Sequence, residues 1–572
     1  MITSITIENF KGIGSPVTVS LRPITLLFGK NSAGKSTILQ ALHYLREILE
    51  HRRPDPDRTR VGGDTVDLGG FHALVHRNET ERRIRIRATF ALDADGIPFE
   101  GVETAGGRRD DSVSRRGWLR QASREDLQHL LDLGLASGRA VDLNGLGELD
   151  SAWIEVVTAW DAEENAAYIA EYGVGINGHE IIRLAQPPGM VPQIVSMDFD
   201  HPLLLALDEE EPDTPVCSQR YKLWSLFEDD VESDVPGQFS QPVFLSAQQS
   251  LVPEHGKPYL VDETFDWEYE ESSSSPDDED TATRFLFWSI VGQTLTGPLT
   301  VLLGDLRGIR YTGPIRSVPP RNHRSPKTPD ESRWANGLGA WDALIRDPAL
   351  AEKTSHYLQD VLGLGYSLRR EDRIHIDADG DVMAALRMFG ARYEEMTESE
   401  YRQLVLAPLE SRKRTPAIQL HDERNGIDVD PSDIGVGVSQ VLPVAVGALD
   451  RGTAESPCRI FAIEQPELHV HPAVQVALGE AFIEAVSNSD RMMLIETHSE
   501  HLLLRLLRRV RESQDAQERT LSPDQLSVVY VRPTDHGVEL TRLEVNAGGD
   551  FDTEWPEGFF EERFDELFGG EE

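Results

Sequence analysis

The feature that most constrains this chain is an eight-residue loop, Gly29-Lys30-Asn31-Ser32-Ala33-Gly34-Lys35-Ser36, which matches G-x-x-x-x-G-K-[ST] at every fixed position. An apolar run, 23–28, leads into it. After it, Ile38, Leu39, Leu42, Leu45 and Leu49 recur at helical spacing, so one face of a helix starting at Lys35 can pack on a sheet. Strand, loop and helix in that order make the motif a phosphate cradle. The glycines let backbone N–H groups close around phosphate oxygens, and the helix N-terminus adds partial positive charge. Lys35 is placed to reach the β/γ-phosphates, and Ser36, followed by Thr37, to ligand Mg²⁺. The loop therefore predicts an α/β fold that binds a nucleoside triphosphate with Mg²⁺, read here as ATP.

Two further segments carry matching chemistry far downstream. In 459–464 an apolar strand pattern ends on Glu464, an acid able to hold the Mg²⁺ that Ser36 also touches, and Gln465-Pro466-Glu467 follow. A second apolar run, 492–495, leads into Glu496-Thr497-His498-Ser499, with a His able to donate a hydrogen bond to a γ-phosphate. One helix between two parallel strands fits the separation of these segments.

These motifs, with Ile7-Glu8-Asn9-Phe10-Lys11-Gly12 near the start, resemble the ABC-type ATPase heads of the SMC/RecF/OLD group, often described as AAA-family ATPases. The resemblance covers roughly 1–90 and 300–572. Tyr311-Thr312-Gly313-Pro314-Ile315-Arg316 and the segment 555–560, which begins at Trp555, resemble a subfamily with a C-terminal segment of unknown function. The resemblance implies a head split in sequence and rejoined in space, and head-to-head dimers or higher oligomers around two ATP molecules. It also implies a signature segment contacting the other chain's γ-phosphate. The matching stretch is 433–443, in which Gly435, Gly437 and Ser439 are the candidates for approaching phosphate, ahead of a core helix expected over 441–449. It departs from LSGGQ. A sharper departure is Gln465, standing where most such heads carry the Glu that deprotonates the attacking water. Gln orients water but accepts no proton, so hydrolysis is expected to be slow, with Gln465 orienting water and Glu496 or Glu467 as the acids to assist.

The rest of the chain is expected to divide into an N-terminal half of the head (1–185, with an insertion near 100–150) and an acidic insertion (186–304, with a linker near 270–280). A C-terminal half of the head (305–515) and a C-terminal segment (516–572) follow. Sustained heptads are missing, so a compact insertion is expected in place of the SMC coiled coil. The formal net charge of −42 disfavours a clamp that binds DNA through bulk charge. Two cysteines cannot build a disulfide framework or a four-ligand zinc site, so a reducing, cytoplasmic setting is expected. The stretch 285–303 carries too many polar residues for a bilayer span. His469 and His471 form an H-x-H that reads better as part of the loop after the Walker B acid than as a second metal site. The arginines at 505, 508, 509 and 511 read as a solvated helix face. No nuclease motif is legible, since Asp550-Phe551-Asp552 does not end an apolar strand. Any cutting of DNA would then fall to a separately encoded effector protein. The expectation is an ATP-driven switch for such a partner, in DNA maintenance or phage defence. A nucleotide-binding scaffold with little hydrolysis is the alternative.

Overall fold

The computed structural model describes residues 1–30, 33–58, 65–92, 150–198, 243–244, 250–255, 279–321, 323–374, 397–454, 456–487, 489–515, 521–534 and 537–553, with a few isolated positions between them. Several expectations fall outside these residues: Asn31 and Ser32 of the loop, the insertion near 100–150, the linker up to 278, Cys217 and residues 557–560. The chain forms two compact units, Met1–Ile309 with Asp490–Glu496 and Ser522–Glu572, and Arg310–Ser489 with Thr497–Leu521.

The strands in chain order are β1 (Ile2–Glu8), β2 (Val17–Ser20), β3 (Ile24–Phe28), β4 (Ile84–Ala91), β5 (Ser151–Asp161), β6 (Ala166–Ile176), β7 (His179–Ala185), β8 (Gln193–Met197) and β9 (Val243–Phe244). After these come β10 (Ile309–Thr312), β11 (Tyr366–Ile374), β12 (Arg414–Asp422), β13 (Ile427–Val429), β14 (Ile460–Glu464), β15 (Met492–Glu496), β16 (Leu526–Thr534) and β17 (Gly537–Leu543).

The first unit holds an antiparallel sheet in the order β2-β1-β4-β5-β6-β7-β8-β9. Its alternation is legible residue by residue: Ile84, Ile86, Ala88 and Phe90 of β4 turn inward. On the other face Arg85, Arg87 and Arg183 all reach the buried carboxylate of Glu155, at 2.9–3.0 Å. A buried acid is tolerable when it is ion-paired in this way. The same unit holds β15-β3-β16-β17. Here β3 is buried at all five positions and runs parallel to both β15 and β16, which explains its uninterrupted apolar pattern. Strands from both ends of the sequence thus meet around β3, so the head is split in sequence within this one unit. Helix Lys35–His51 packs against helix Glu279–Arg307, and Arg307 Nε donates to Glu50 Oε1 at 2.8 Å. Tyr172 on β6 donates its hydroxyl to the carbonyl of Leu295 in the longer helix, at 3.0 Å.

In the second unit β10 and β14 are neighbours, and β11-β12-β13 form a small antiparallel sheet. Helices Leu338–Arg346, Pro348–His356, Val436–Leu449, Pro472–Val486 and Glu500–Asp515 pack among themselves. Local chemistry sets their starts. Asp347 caps the second by accepting from the N–H groups of Ala349 and Leu350, with Pro348 at the first helical position. His471 caps the fourth by accepting from Ala473 N at 3.2 Å, ahead of Pro472. His471 is therefore a helix cap. Among the described residues no group of three or more His, Cys, Asp or Glu could hold a metal ion, and no helix is long and apolar enough to cross a membrane.

Candidate nucleotide site

In the first unit, β3 delivers the phosphate loop. Gly29 has φ +147°, and a Cβ there would lie 2.2 Å from the carbonyl oxygen of Val531 on β16. Gly34 has φ +97°, and a Cβ there would lie 3.0 Å from Val538 Cγ2 of β17, a tight contact. Both positions need glycine for conformation and for close approach. The C-terminal hairpin β16–β17 thus forms the wall behind the loop. Trp555 extends that wall by packing edge-on against Phe28, the residue before Gly29. Sequence reasoning missed this support; Val531 and Val538 carry no motif that would have marked them. Helix Lys35–His51 starts at Gly34 without a side-chain cap, leaving its N-terminus suited to an anion. Ala33 N donates to Lys30 O, and Thr37 N to Gly34 O, which closes the turn.

Lys35 is buried, and its ammonium donates to Gly29 O at 3.0 Å and Lys30 O at 2.9 Å. Ser36 Oγ donates to Glu496 Oε2 at 2.6 Å, while Glu496 Oε1 lies 3.8 Å from Lys35 Nζ. The register explains the meeting. Glu496 ends β15 level with Leu27 of β3, two residues before Gly29. A parallel neighbour ending there points its last side chain at the first turn of the following helix. Glu496, Lys35 and Ser36 therefore form one buried cluster of charge and hydroxyl.

In the second unit, Glu464 ends β14, and Tyr311 of β10 donates its hydroxyl to Glu464 Oε1 at 2.8 Å. Gln465 adopts φ +44° and His469 φ +60°, a conformation uncommon for residues with a Cβ. Glu467 is half-buried. It accepts from Thr497 Oγ1 at 2.8 Å and from His498 N at 2.6 Å, so the loop after the acid is tied to the loop carrying His498. Burial pushes the Glu467 carboxyl above the ordinary carboxylate range, against those hydrogen bonds and the nearby Arg316 charge.

The signature-like stretch departs from expectation. Its helix begins at Val436, so Gly437 and Ser439 lie inside the first turns instead of in a loop before them. Ser439 is buried and donates its hydroxyl to Val436 O at 2.8 Å. Gly437 faces the chain's own His469, whose carbonyl oxygen would lie 3.0 Å from an added Cβ. Val436, by contrast, is 59% exposed. On the last helix, Arg505 and Arg509 pair with Glu480, and Arg508 and Arg509 with Glu512, a charge-balanced face.

A glycine loop on a buried parallel strand, mixed sheets flanked by helices, and a core gathered from distant parts of the sequence define a split ABC-type ATPase head. A family model for the AAA ATPase domain (AAA_15) matches residues 1–172 and 374–503, more than half of the chain. The protein belongs to that family. Its domain is of the ATP-binding and ATP-hydrolysing kind. Among solved structures the chain is similar to an Smc head bound to the C-terminal winged-helix domain of ScpA, with 10% identity, 96% of this chain and 98% of that chain covered, and a TM-score of 0.35. It is also similar to an Smc head with an extended coiled coil bound to the C-terminal domain of ScpA, from Pyrococcus furiosus (8% identity, 95% and 96% covered, TM-score 0.35). A third is the SMC head domain from Thermotoga maritima (8% identity, 95% and 99% covered, TM-score 0.32). No curated protein matches the sequence.

Proposed function

We propose that this ATPase is a slow, ATP-driven switch that dimerises through its heads on binding ATP and controls a separately encoded effector protein, in DNA maintenance or phage defence. The observation that carries the reading is the pairing of a complete phosphate loop with Gln465 at the place of the usual proton acceptor. Gly29, Lys30, Ala33, Gly34, Lys35 and Thr37, with Asn31 and Ser32, would hold the triphosphate. Mg²⁺ requires only one or two protein ligands beside phosphate oxygens, and Ser36 with Glu464 would supply them. Glu496, already hydrogen-bonded to Ser36, adds negative charge at the same hydroxyl. When bound, the metal would neutralise charge on the β- and γ-phosphates.

In this scheme Lys35 leaves its loop carbonyls for phosphate oxygens, His498 donates towards the γ-phosphate, and Gln465 orients water. Gln465 cannot take the proton, and Glu467 and Glu496 are both already engaged by hydrogen bonds. Losing a general base costs about 10²–10⁴-fold in rate. The same engagement favours the second reading, a scaffold that holds ATP with almost no turnover. Single-turnover hydrolysis decides between them, using wild type, Gln465→Glu, Glu467→Gln and Glu496→Gln. A slow wild type accelerated by Gln465→Glu supports the switch. A Gln465→Glu variant that binds ATP but never turns over leaves only the scaffold. The exposed first turn at Gly435–Gly437 is the edge assigned to the head-to-head contact.

A further inference from the structure

The motif 311–316 has no part in the scheme above, yet its last residue is among the most deeply buried charges of the second unit. Arg316 is 2% exposed. Its Nη2 donates to the carbonyl oxygens of Glu464 at 2.6 Å and Gln465 at 3.3 Å, and its Nη1 to the carbonyl of Gln440 at 3.3 Å. Gln440 answers with its side chain, accepting from Arg316 N at 3.2 Å and donating to Arg316 O at 2.8 Å. Nothing in this set is a carboxylate. The charge is satisfied by main-chain carbonyls, with Glu467, Tyr311 and Glu464 as its electrostatic company. Burial is the dominant influence and pushes the guanidinium down to about 10. A buried cation without a direct ionic partner is costly, so its retention calls for a task.

The task is visible in what the fork joins. Gln440 lies on helix Val436–Leu449, and residues 464–465 end β14. Gln465 is held in the left-handed region, a conformation costing about 1–3 kcal/mol that persists only where surroundings over-determine it. The bond from Arg316 to its carbonyl supplies that constraint. Beyond it, the carbonyl of His469 sits against Gly437 of the same helix. Glu467, between them, carries the connection to Thr497 and His498.

We infer that Arg316 and Glu467 are positioning residues for hydrolysis: a buried cation and a half-buried acid that make the Gln465 and His498 loops move with the signature-like helix. A displacement of the helix start would reach both loops through one guanidinium. The planar fork reaches the helix with one nitrogen and the end of β14 with the other. Lysine, with all its donors on one nitrogen at the end of a flexible stem, does not reproduce that fixed spacing.

The inference rests on the ATPase reading for its catalytic consequence, so the test has a readout that needs no turnover. Full-length wild type, Arg316→Lys, Gln440→Leu and the double variant are compared by hydrogen–deuterium exchange over 464–469 and 497–499, by ATP affinity and by kcat. Exchange in both loops should rise in each single variant, while the strands β3, β12 and β16 stay protected. Affinity for ATP should hold within about twofold, and kcat should fall by about 10- to 100-fold, as for a misplaced catalytic group. The double variant should lose no more than the worse single one, because both break one connection. Unchanged exchange in the two loops overturns the inference even if the protein hydrolyses ATP. Losses that add fully in the double variant overturn it too. A wild type that never turns over refutes the ATPase reading alone, and loop exchange still decides the coupling. Gln440→Leu retains the guanidinium but releases the Arg316 main chain from the helix, and serves if Arg316→Lys does not fold.

Discussion

Replacing Glu496 by Gln removes one negative charge from the buried cluster at the phosphate loop while keeping an acceptor for Ser36. The lost attraction is to Lys35, whose ammonium lies 3.8 Å from Glu496 Oε1, with side-chain exposures of 2% and 6%. At that separation and an effective dielectric of about 20, the gross interaction is about 4 kcal/mol. Lys35 keeps the carbonyls of Gly29 and Lys30, and desolvation of the carboxylate is no longer required. A net loss of about 2 kcal/mol in the nucleotide-free state follows, below the roughly 3–5 kcal/mol of breaking a buried pair outright because Lys35 keeps two acceptors. For a unit of this size that is a fall of about 2–3 °C in Tm. ATP supplies phosphate charge for Lys35 in place of the missing carboxylate, so saturating ATP without Mg²⁺ should recover at least half of the deficit. The assay is thermal unfolding of wild type and Glu496→Gln, each with and without ATP. A deficit of equal size in both conditions would make Glu496 a packing residue only. A variant as stable as wild type without nucleotide would mean that the pair contributes nothing in solution.

Three further outcomes are expected. Gly29→Ala should destabilise the first unit by about 3 kcal/mol or more, since its Cβ would lie 2.2 Å from Val531 O at a φ that alanine avoids; a denaturant midpoint within error of wild type would contradict the described loop. Val436→Arg should block dimerisation induced by ATP while leaving ATP affinity unchanged, because Val436 is exposed where Ser439 is not; light scattering that still reports an ATP-dependent dimer excludes this turn from the interface. His43, buried in helix Lys35–His51, has its imidazole pushed down to about 3, chiefly by burial. Its folded pKa lies below the unfolded value, so its contribution is complete above pH 6.5 and is lost as pH falls towards 3, amounting to about 2 kcal/mol by pH 5. His43→Leu should therefore flatten the fall in Tm between pH 7.5 and 5, and identical slopes in the two proteins would refute this.

What could be read from residue order alone was whatever depends on neighbours in the chain. The phosphate loop needs its glycines, lysine and serine at fixed local spacing, and the strands around it announce themselves by apolar runs or alternation. Ile24–Phe28, Lys35–His51, Ile460–Glu464 and Met492–Glu496 therefore lie within a residue or two of where the pattern placed them. The helix Val436–Leu449 was read five residues short, because Gly435 and Gly437 look like a turn, whereas Gly437 sits in the first helical turn against the carbonyl of His469. That the Ser439 hydroxyl closes on Val436 O within its own helix was not legible either. Tyr311 and Arg316 stood out as a motif with no assignable work, because their partners, Gln440, Glu464 and Gln465, are more than a hundred positions away. Glu496 was visible as an acid ending a buried strand, but its meeting with Ser36, 460 positions off, depends on the register that sets it level with Leu27. Sheet register and burial are properties of segments brought together in space, and no local periodicity encodes them. Chain order thus determines that there is a phosphate loop; the packing of distant strands decides which acid stands beside it.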